Sequence, residues 1–260
     1  MSWVITGSQP FTANALLDRF PGAAAAYSLR NLVGTSNPNV VRVRRSSDNT
    51  EQDFTAAQVT NGTLTTFCGA GNGFVRTWYD QSGNGRNAAQ TTTTNQPQIV
   101  SNGALITDGT HPALSFAGSP VVLTLASSIF TVQPFTSFSV YKATANNGTV
   151  YGGSANGATL ARSGTGAYIL FAGGSVQAGT HPSTRQLATS LFDGANSIGW
   201  WQSTQIVSGN VGTNTVVDLI GGNSSDRITG NIQELIFYAS NQSSNRVAIE
   251  SNINAHYAIY

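Results

Sequence analysis

Turn-forming dipeptides recur along the whole chain, and they limit its fold more than any other feature of the sequence. The dipeptides Asn-Gly and Asp-Gly begin at Asn61, Asn72, Asn84, Asn102, Asn147, Asn156, Asp108 and Asp193. They accept the positive φ that two-residue hairpin turns require, so each is a strong short-range signal for a β-hairpin. A chain interrupted this often is predicted to form short antiparallel strands.

Short runs rich in β-branched and aromatic residues fill the intervals between these turns. They cover residues 40–45, 73–80, 112–116, 121–125, 135–142, 167–173, 186–192, 197–202, 216–222 and 231–239. Many short strands with frequent turns favour an all-β fold, and we predict an antiparallel β-sandwich or jelly roll. No linker-like stretch divides the chain. We therefore predict a short N-terminal arm, residues 1–20, followed by a single sandwich domain, residues 21–260.

Two segments carry apolar residues at helical spacing. In the first, the spaced residues are Ala25, Leu29, Leu32 and Val33. In the second, they are Ile249, Ile253, His256 and Tyr260. The spacing predicts one helix near the start of the chain and one that closes it, with Ser243 or Ser244 as the N-cap of the closing helix.

Charged residues are rare in this chain, and their scarcity limits the kinds of partner that the chain can attract. Charged residues make up 9% of the sequence and the net charge is +1, against about 25% charged residues in ordinary soluble domains. Such a chain has no long-range field for nucleic acid or for an anionic membrane, so we predict neither as a partner. No apolar run is long enough to span a membrane, and the first residues lack the features of a secretory signal. A surface of hydroxyl and amide groups suits neutral glycans or other protein subunits.

The residues that commonly hold metals or cofactors are sparse and scattered. Cys68 is the single cysteine, so no disulfide can form within the chain. The histidines, His111, His181 and His256, have no acid at ligand spacing. We predict no metal site and no cofactor.

Basic residues alternate with valines in the segment VRVRRSSDN. Because alternate side chains of a strand point to opposite faces, Arg42 and Arg44 share one face. The acids that Arg44 or Arg45 can face are Asp48, Asp53 and Asp80. We interpret such a charge-assisted network as structural, with an anionic-ligand site as the alternative.

The segment WYDQSGNGRN joins an acid to a Gly-Asn-Gly turn. Asp80 can accept backbone N–H groups of the following turn, where Gly83 and Gly85 supply the unusual φ. We interpret the segment as a structural clasp, with sugar or calcium binding through Asp80 and Asn84 as the alternative. The predicted clasp consists of Arg42, Arg44, Asp48, Trp78, Asp80, Ser82 and Asn84.

Aromatic residues supply two further candidate contact surfaces. Trp200 and Trp201 are neighbours, so one is predicted to face the core and the other to face outward, as a platform for a sugar or as an interface anchor. At the start of the chain an apolar cluster precedes every predicted strand. It consists of Trp3, Val4 and Ile5. We predict that it anchors a homo-oligomer, with folding back over a sheet edge of the same subunit as the alternative.

Four segments together resemble a known family. They are AYSLRNL, VVRVRRSSDNTEQDF, TFCGAGNGFVRTWYDQSGNGRNAAQ and QPQIV. They resemble the amino-terminal half of the arabinofuranosidase B catalytic domain, and they look closer still to a group of bacteriophage virion proteins. The second half, from Phe135, looks like a laminin-G or concanavalin-like module. The resemblance implies a concanavalin-like jelly roll.

The resemblance also implies where catalytic carboxylates are expected. In the arabinofuranosidases a glutamate in a mid-chain strand is the nucleophile, but this chain has no acid between Asp108 and Asp193. The acid/base aspartate of the family follows a Gly-Gly pair, and Asn223 stands at that place. Asp226 and Glu234 could form a substitute pair, although the alternation of the last strand predicts that Glu234 faces inward.

These observations lead to a prediction of function. We predict a non-catalytic bacteriophage virion protein, a capsid decoration or tail subunit, and therefore no enzyme. Its predicted partners are other virion proteins, further copies of itself and host-surface polysaccharide. The predicted contact residues are Trp200, Trp201, Asn223 and Asp226. The alternatives are a glycoside hydrolase of the arabinofuranosidase type and a free carbohydrate-binding module.

Overall fold

The structure, a computed structural model, describes residues 15–155, 157–162 and 166–260. It confirms the all-β prediction: short antiparallel strands form a sandwich, and a helix closes the chain. The predicted anchor, Trp3, Val4 and Ile5, lies outside the described residues.

The elements alternate short strands with tight turns. The strands of the first half are β1 (Ala23–Ser28), β2 (Asn39–Arg45), β3 (Glu51–Thr55), β4 (Gly73–Trp78), β5 (Ala88–Ala89), β6 (Gln98–Ser101), β7 (Ala104–Leu105), β8 (Thr107–Asp108), β9 (His111–Pro112), β10 (Leu114–Ala117) and β11 (Leu123–Thr124). Those of the second half are β12 (Phe135–Ala143), β13 (Gly148–Gly152), β14 (Thr159–Arg162), β15 (Tyr168–Phe171), β16 (Ser175–Ala178), β17 (Gln186–Phe192), β18 (Ser197–Trp201), β19 (Thr204–Gly209), β20 (Leu219–Ile220) and β21 (Thr229–Tyr238). The helices are α1 (Leu16–Arg19), α2 (Ala56–Thr60), α3 (Thr63–Cys68) and α4 (Arg246–Tyr257), with 3-10 turns at Thr93–Asn95 and Gly194–Asn196.

Two layers follow from the strand pairing. In the first, β21 pairs with β1, β10 and β12, and the sheet continues from β12 through β17 and β18 to β19. In the second, β16, β15, β14 and β13 lead through β20, β11, β5, β4 and β2 to β3. Strand β6 pairs with both β4 and β10, and so joins the layers at one side.

The main core lies between the layers. Its largest buried side chains include Tyr27, Trp78, Phe135, Tyr151 and Phe237. A second apolar cluster covers the other face of the first layer, where α1 and α4 pack on β12 and β21. The first layer is therefore buried on both faces. This explains why the burial of β12, β17 and β21 is almost continuous rather than alternating.

The predicted helix near the start of the chain is wrong. Residues 23–28 form β1, and all six of its residues are buried. A strand covered on both faces is buried at every position. In Ala23–Ala26, Ala24 and Ala25 face the main core and Ala23 and Ala26 the second cluster. Such a run has no period-two pattern, so its spacing cannot be distinguished from that of a buried helix.

The predicted closing helix is confirmed as α4, but its N-cap is not. Asn245 occupies the cap position, rather than Ser243 or Ser244, and its side chain makes no capping hydrogen bond. The helix is positioned by its buried face, on which Ile249 and Ile253 pack against the first layer. Among the described residues, no helix is both long and apolar enough to cross a membrane.

The last residues of the predicted arm pack against the sandwich. Leu16 and Leu17 are buried in the same cluster as α4. The backbone N–H of Leu17 also donates to the carbonyl of Leu32 at 3.0 Å.

Candidate functional site

A groove of about 450 Å³ lies on the outer face of β13, β14 and β15. We call it the outer groove. Its floor includes Thr149, Thr159, Ala161, Ile169 and Phe171, and residues 223–226 form one wall. The groove is open, lies on the side of the second layer away from the core, and is lined mainly by hydroxyl, amide and small apolar groups.

The floor follows from the period of the strands. Leu160 and Leu170 are fully buried and point to the core. Their neighbours Thr159, Ile169 and Phe171 therefore point to the opposite face, where they line the groove. Phe171 is 38% exposed and is the aromatic ring of this surface.

The wall at residues 223–226 is a tightly bonded loop. Asn223 Oδ1 accepts the backbone N–H groups of Ser225 at 2.9 Å and of Asp226 at 2.8 Å. The Arg227 guanidinium donates to the carbonyls of Asn223 and Asp226. A Cβ on Gly152 would lie 2.8 Å from Asn223 Cβ, so a glycine there lets the loop approach β13. The side chain of Asn223 is thus used to build the loop.

Asp226 presents the one carboxylate among the described residues that line the groove. It is exposed, and its Oδ2 accepts a long hydrogen bond, 3.3 Å, from Ser225 Oγ. A second carboxylate, Asp218, lies beside the groove and accepts the backbone N–H and hydroxyl groups of Ser154, the residue after the lining Gly153. Asp226 is therefore free to meet a ligand, whereas Asp218 holds a turn.

The structure brings Asn223 and Asp226 together but places the predicted tryptophans elsewhere. Neither Trp200 nor Trp201 lines the groove. Trp200 is 7% exposed, with the Arg246 guanidinium 4.8 Å from its ring centroid. Trp201 packs edge-on against His181, with ring centroids 5.1 Å apart. Trp200 is thus buried and Trp201 is half-buried. A role for either ring as a sugar platform or an interface anchor stays a prediction.

Glu234 lies in a buried ion pair away from the groove. The Arg30 Nε and Nη2 groups donate to its two carboxylate oxygens at 2.7 and 2.9 Å. The hydroxyls of Ser28 and Tyr257 add bonds of 2.8 and 3.2 Å. Burial acts to raise the pKa of Glu234, but the Arg30 charge and these hydrogen bonds outweigh it and hold the pKa below its usual range. Asp226 and Glu234 therefore form no catalytic pair.

The WYDQSGNGRN segment binds the free edge of β1. Asp80 Oδ1 accepts the N–H groups of Ala26 and Ser82, both at 2.9 Å. Its Oδ2 accepts Ser82 Oγ at 2.8 Å and the N–H of Arg86 at 3.0 Å. Asn84 Nδ2 donates to the carbonyl of Ala24 at 3.1 Å. Strand β1 pairs with β21 on its other edge, so these side chains take the place of a missing neighbour strand.

The arginines of β2 are held separately. Arg42 makes a bidentate ion pair with Asp53, at 2.8 and 2.9 Å, and the Tyr79 hydroxyl donates to the same carboxylate at 2.7 Å. These bonds hold the pKa of Asp53 below its usual value. Arg45, rather than Arg44, pairs with Asp48 at 2.6 Å.

Arg44 faces polar groups in place of an acid. It donates to Gln96 Oε1 at 2.8 Å and to Asn49 Oδ1 at 2.7 Å. Burial lowers its pKa. The arginine network predicted under the loop is therefore divided into local contacts, none of which leads to the outer groove.

Two of the three histidines, His111 and His256, are neighbours in the structure although they are far apart in the sequence. The rings of His111 and His256 lie 4.4 Å apart, whereas His181 Nε2 is 2.6 Å from the Tyr141 hydroxyl in another part of the sandwich. In the described part of the chain, no three or more His, Cys, Asp or Glu side chains are grouped so that they could hold a metal ion.

Residues 18–178 match the family described as Alpha-L-arabinofuranosidase B, catalytic. Among solved structures, a mutant GH54 α-L-arabinofuranosidase soaked with 4-nitrophenyl α-L-arabinofuranoside superposes with a TM-score of 0.72 at 15% identity, over 93% of this chain and 64% of that chain. An arabinofuranosidase complexed with arabinofuranosyl-α-1,2-xylobiose gives 0.68 at 17% identity, with the same coverage. This chain thus spans 64% of the length of those proteins, less than two thirds. No curated protein matches the sequence.

The match covers more than half of the sequence, and the chain belongs to the arabinofuranosidase B catalytic family. The resemblance predicted for the first half is confirmed. The structural matches support the fold alone, because their identities are low.

Two predictions are wrong in consequence. The family is that of a glycosidase catalytic domain, which overturns both the non-catalytic bacteriophage virion protein and the absence of an enzyme. Both predictions rested on Asn223 at the acid/base position and on the missing mid-chain acid. The structure places Asp226 in the groove. The predicted homo-oligomer and polysaccharide partner stay predictions.

Three lining residues were missed from the sequence. Thr149, Arg162 and Phe171 lie on three different strands and belong to no local motif. The signal that could have found Phe171 is the alternation of β15, which separates Leu170 in the core from an outward aromatic residue.

Proposed function

We propose that this chain is a glycoside hydrolase of the arabinofuranosidase type and that the outer groove binds its glycosyl unit. The observation that carries the proposal is the family match over residues 18–178. The groove fits a sugar because Thr159, Asn223 and Ser225 offer hydroxyl and amide groups, while Phe171 offers a ring face. The substrate class proposed is an α-L-arabinofuranoside.

Asp226 is the residue to which we assign the proton transfer. Glycosidases commonly use one carboxyl group to protonate the leaving oxygen and a second as nucleophile or base. In the outer groove, Asp226 protonates the glycosidic oxygen as its bond to the anomeric carbon breaks. Water adds to that carbon and releases a proton to solvent. Asp218 lies beside the groove and is the candidate for the second carboxylate. A variant can test whether it takes part in the reaction.

The test is hydrolysis of 4-nitrophenyl α-L-arabinofuranoside by the purified chain. We expect release of 4-nitrophenol and a kcat/KM about 10²- to 10⁴-fold lower in Asp226→Asn, because a positioned general acid contributes that factor. Asp193→Asn removes the same charge from a residue that does not line the groove, and is the matched control. Asp218→Asn is measured beside them.

Two outcomes would contradict the proposal. One is binding of the arabinofuranoside without any hydrolysis by the folded wild-type chain. The other is hydrolysis that Asp226→Asn leaves unchanged, which would remove the proton transfer from this residue. Circular dichroism of each variant checks that loss of activity is not loss of the fold.

A further inference from the structure

Phe171 is an exposed aromatic ring on the floor of the outer groove, where it is 38% exposed. The other exposed large apolar side chains in the described part of the chain do not line the groove; they are Val132, Val247 and Tyr260. An aromatic ring among hydroxyl and amide groups is a common means by which a ligand site supplies apolar contact.

The strand ladders fix the face to which this ring points. Leu160 and Leu170 are buried in the main core, so Thr159 and Phe171, at the alternate positions, point to the groove. Phe171 lies directly opposite Thr159 on one side and opposite Ser175 of β16 on the other. These three lining residues therefore form one row across β14, β15 and β16.

The row meets the wall of the groove at β13. A Cβ on Gly152 would lie 2.8 Å both from Thr159 Oγ1 and from Asn223 Cβ. The Asn223 backbone N–H donates to the carbonyl of Asp226 at 2.9 Å, so Asp226 lies beside this point.

Phe171 is too far from the wall to contact the same sugar ring as Asp226. Strands β13, β14 and β15 are successive neighbours, and neighbouring strands lie roughly 5 Å apart. The ring therefore stands two strand spacings, roughly 10 Å, from the β13 side of the groove. A single furanose ring held at Asp226 does not extend over that distance.

We propose that Phe171 is the platform of a second subsite, which binds the pyranose unit to which the arabinofuranosyl unit is attached. The C–H groups on the face of a pyranose pack on the aromatic ring, and the hydroxyls at its edge meet Thr159 and Ser175. The inference rests on the proposed function for bond cleavage at Asp226, and it adds a residue that determines specificity for the leaving part of the substrate. Phe171 does not touch the bond that breaks, so it contributes binding and not chemistry.

Two substrates that share the arabinofuranosyl unit test this subsite. One is methyl α-L-arabinofuranoside, whose leaving group is too small to reach the ring. The other is xylotriose that carries one α-L-arabinofuranosyl unit, because xylopyranose has no exocyclic group and leaves its ring faces free to stack. For the second substrate, Phe171→Ala is expected to raise KM about three- to tenfold at unchanged kcat, since loss of uniform binding raises KM alone. Both constants for the methyl glycoside should stay the same.

Three further variants separate stacking from general apolar contact. Phe171→Trp keeps a flat ring and is expected to retain the wild-type KM for the arabinofuranosyl xylotriose or to lower it. Phe171→Leu keeps apolar bulk without the ring and is expected to raise KM as Phe171→Ala does. Val132→Ala truncates an exposed apolar side chain outside the groove and is expected to change neither constant.

Failure of this inference can be distinguished from failure of the proposed function. If Phe171→Ala changes KM for both substrates equally, or for neither, the ring does not bind the leaving part, whereas hydrolysis itself would leave the proposed function intact. If the wild-type chain hydrolyses neither substrate, saturation-transfer NMR with xylotriose decides. Binding that is lost in Phe171→Ala and kept in Phe171→Trp would then support the subsite and overturn only the hydrolase. Binding that both variants leave unchanged, or no binding by the wild-type chain, would overturn the subsite.

Discussion

At the scale of single residues, Asp80 shows why a carboxylate, rather than an amide, stands in the loop after β4. Its two oxygens accept from three backbone N–H groups and one hydroxyl. A carboxylate offers acceptor sites only, so every one of these donors meets a lone pair. An asparagine of the same shape would turn an NH₂ group toward some of them.

We therefore expect Asp80→Asn to lower the free energy of unfolding by about 1–3 kcal/mol, since hydrogen bonds to a charged group are lost and a donor is left opposed. Urea denaturation followed by fluorescence measures the change. Asp193→Asn is the control for removal of a negative charge. An unchanged stability, together with a loss of calcium-dependent stabilisation or of glycan binding, would show that Asp80 serves a ligand and not the edge of β1.

At the scale of elements, the packing of α4 is favoured when the side chain of His256 is neutral. Burial first, and then the positive charge of Arg30, lower the pKa of His256 to about 4. The other titratable groups around it include His111, Arg185 and Glu234, and burial also lowers the pKa of His111. Protonation would place a cation beside two arginines under the helix.

The sign of the pH dependence follows from these shifts. In the unfolded chain a histidine titrates near its ordinary pKa of about 6.5, so between that value and about 4 the unfolded chain binds more protons than the folded one. The stability contributed by a neutral His256 is present above pH 6.5 and is lost as the pH falls toward 4. Burial also lowers the pKa of His181 to about 4, which adds to the same trend.

We expect the melting temperature to fall between pH 7 and pH 4.5, and to fall less steeply in His256→Gln. Val247→Ala, on the exposed side of the same helix, should shift the curve without changing its slope. A slope that is the same in His256→Gln as in the wild type would remove this histidine from the titration.

At the scale of elements, most long strands were predicted from the sequence, whereas β1 was not. Strands β2, β4, β12, β17 and β21 were predicted because turn dipeptides or β-rich runs mark them. The failure at β1 has a physical cause. Its residues are buried on both faces, so buried positions follow one another and leave no periodic signature in the sequence.

At the scale of the whole molecule, the site is harder to predict than the fold because it is assembled from distant positions. Asn223 and Asp226 were found because they follow a Gly-Gly turn. Thr149, Arg162 and Phe171 meet them only through pairing of β13, β14 and β15. The burial of Trp200 also depends on a distant residue, because Arg246 of α4 covers its ring.

The whole molecule is expected to unfold as one unit. The main core joins residues from β1, at Ala24, to β21, at Phe237, and it contains side chains of both layers. Neither layer can keep its inner face dry without the other, so partial unfolding would expose the buried rings of the remaining layer. Far-UV circular dichroism, tryptophan fluorescence and calorimetry should therefore give coincident thermal transitions. Two separated transitions, or a calorimetric enthalpy well above the van't Hoff value, would show that the two layers are independent folding units.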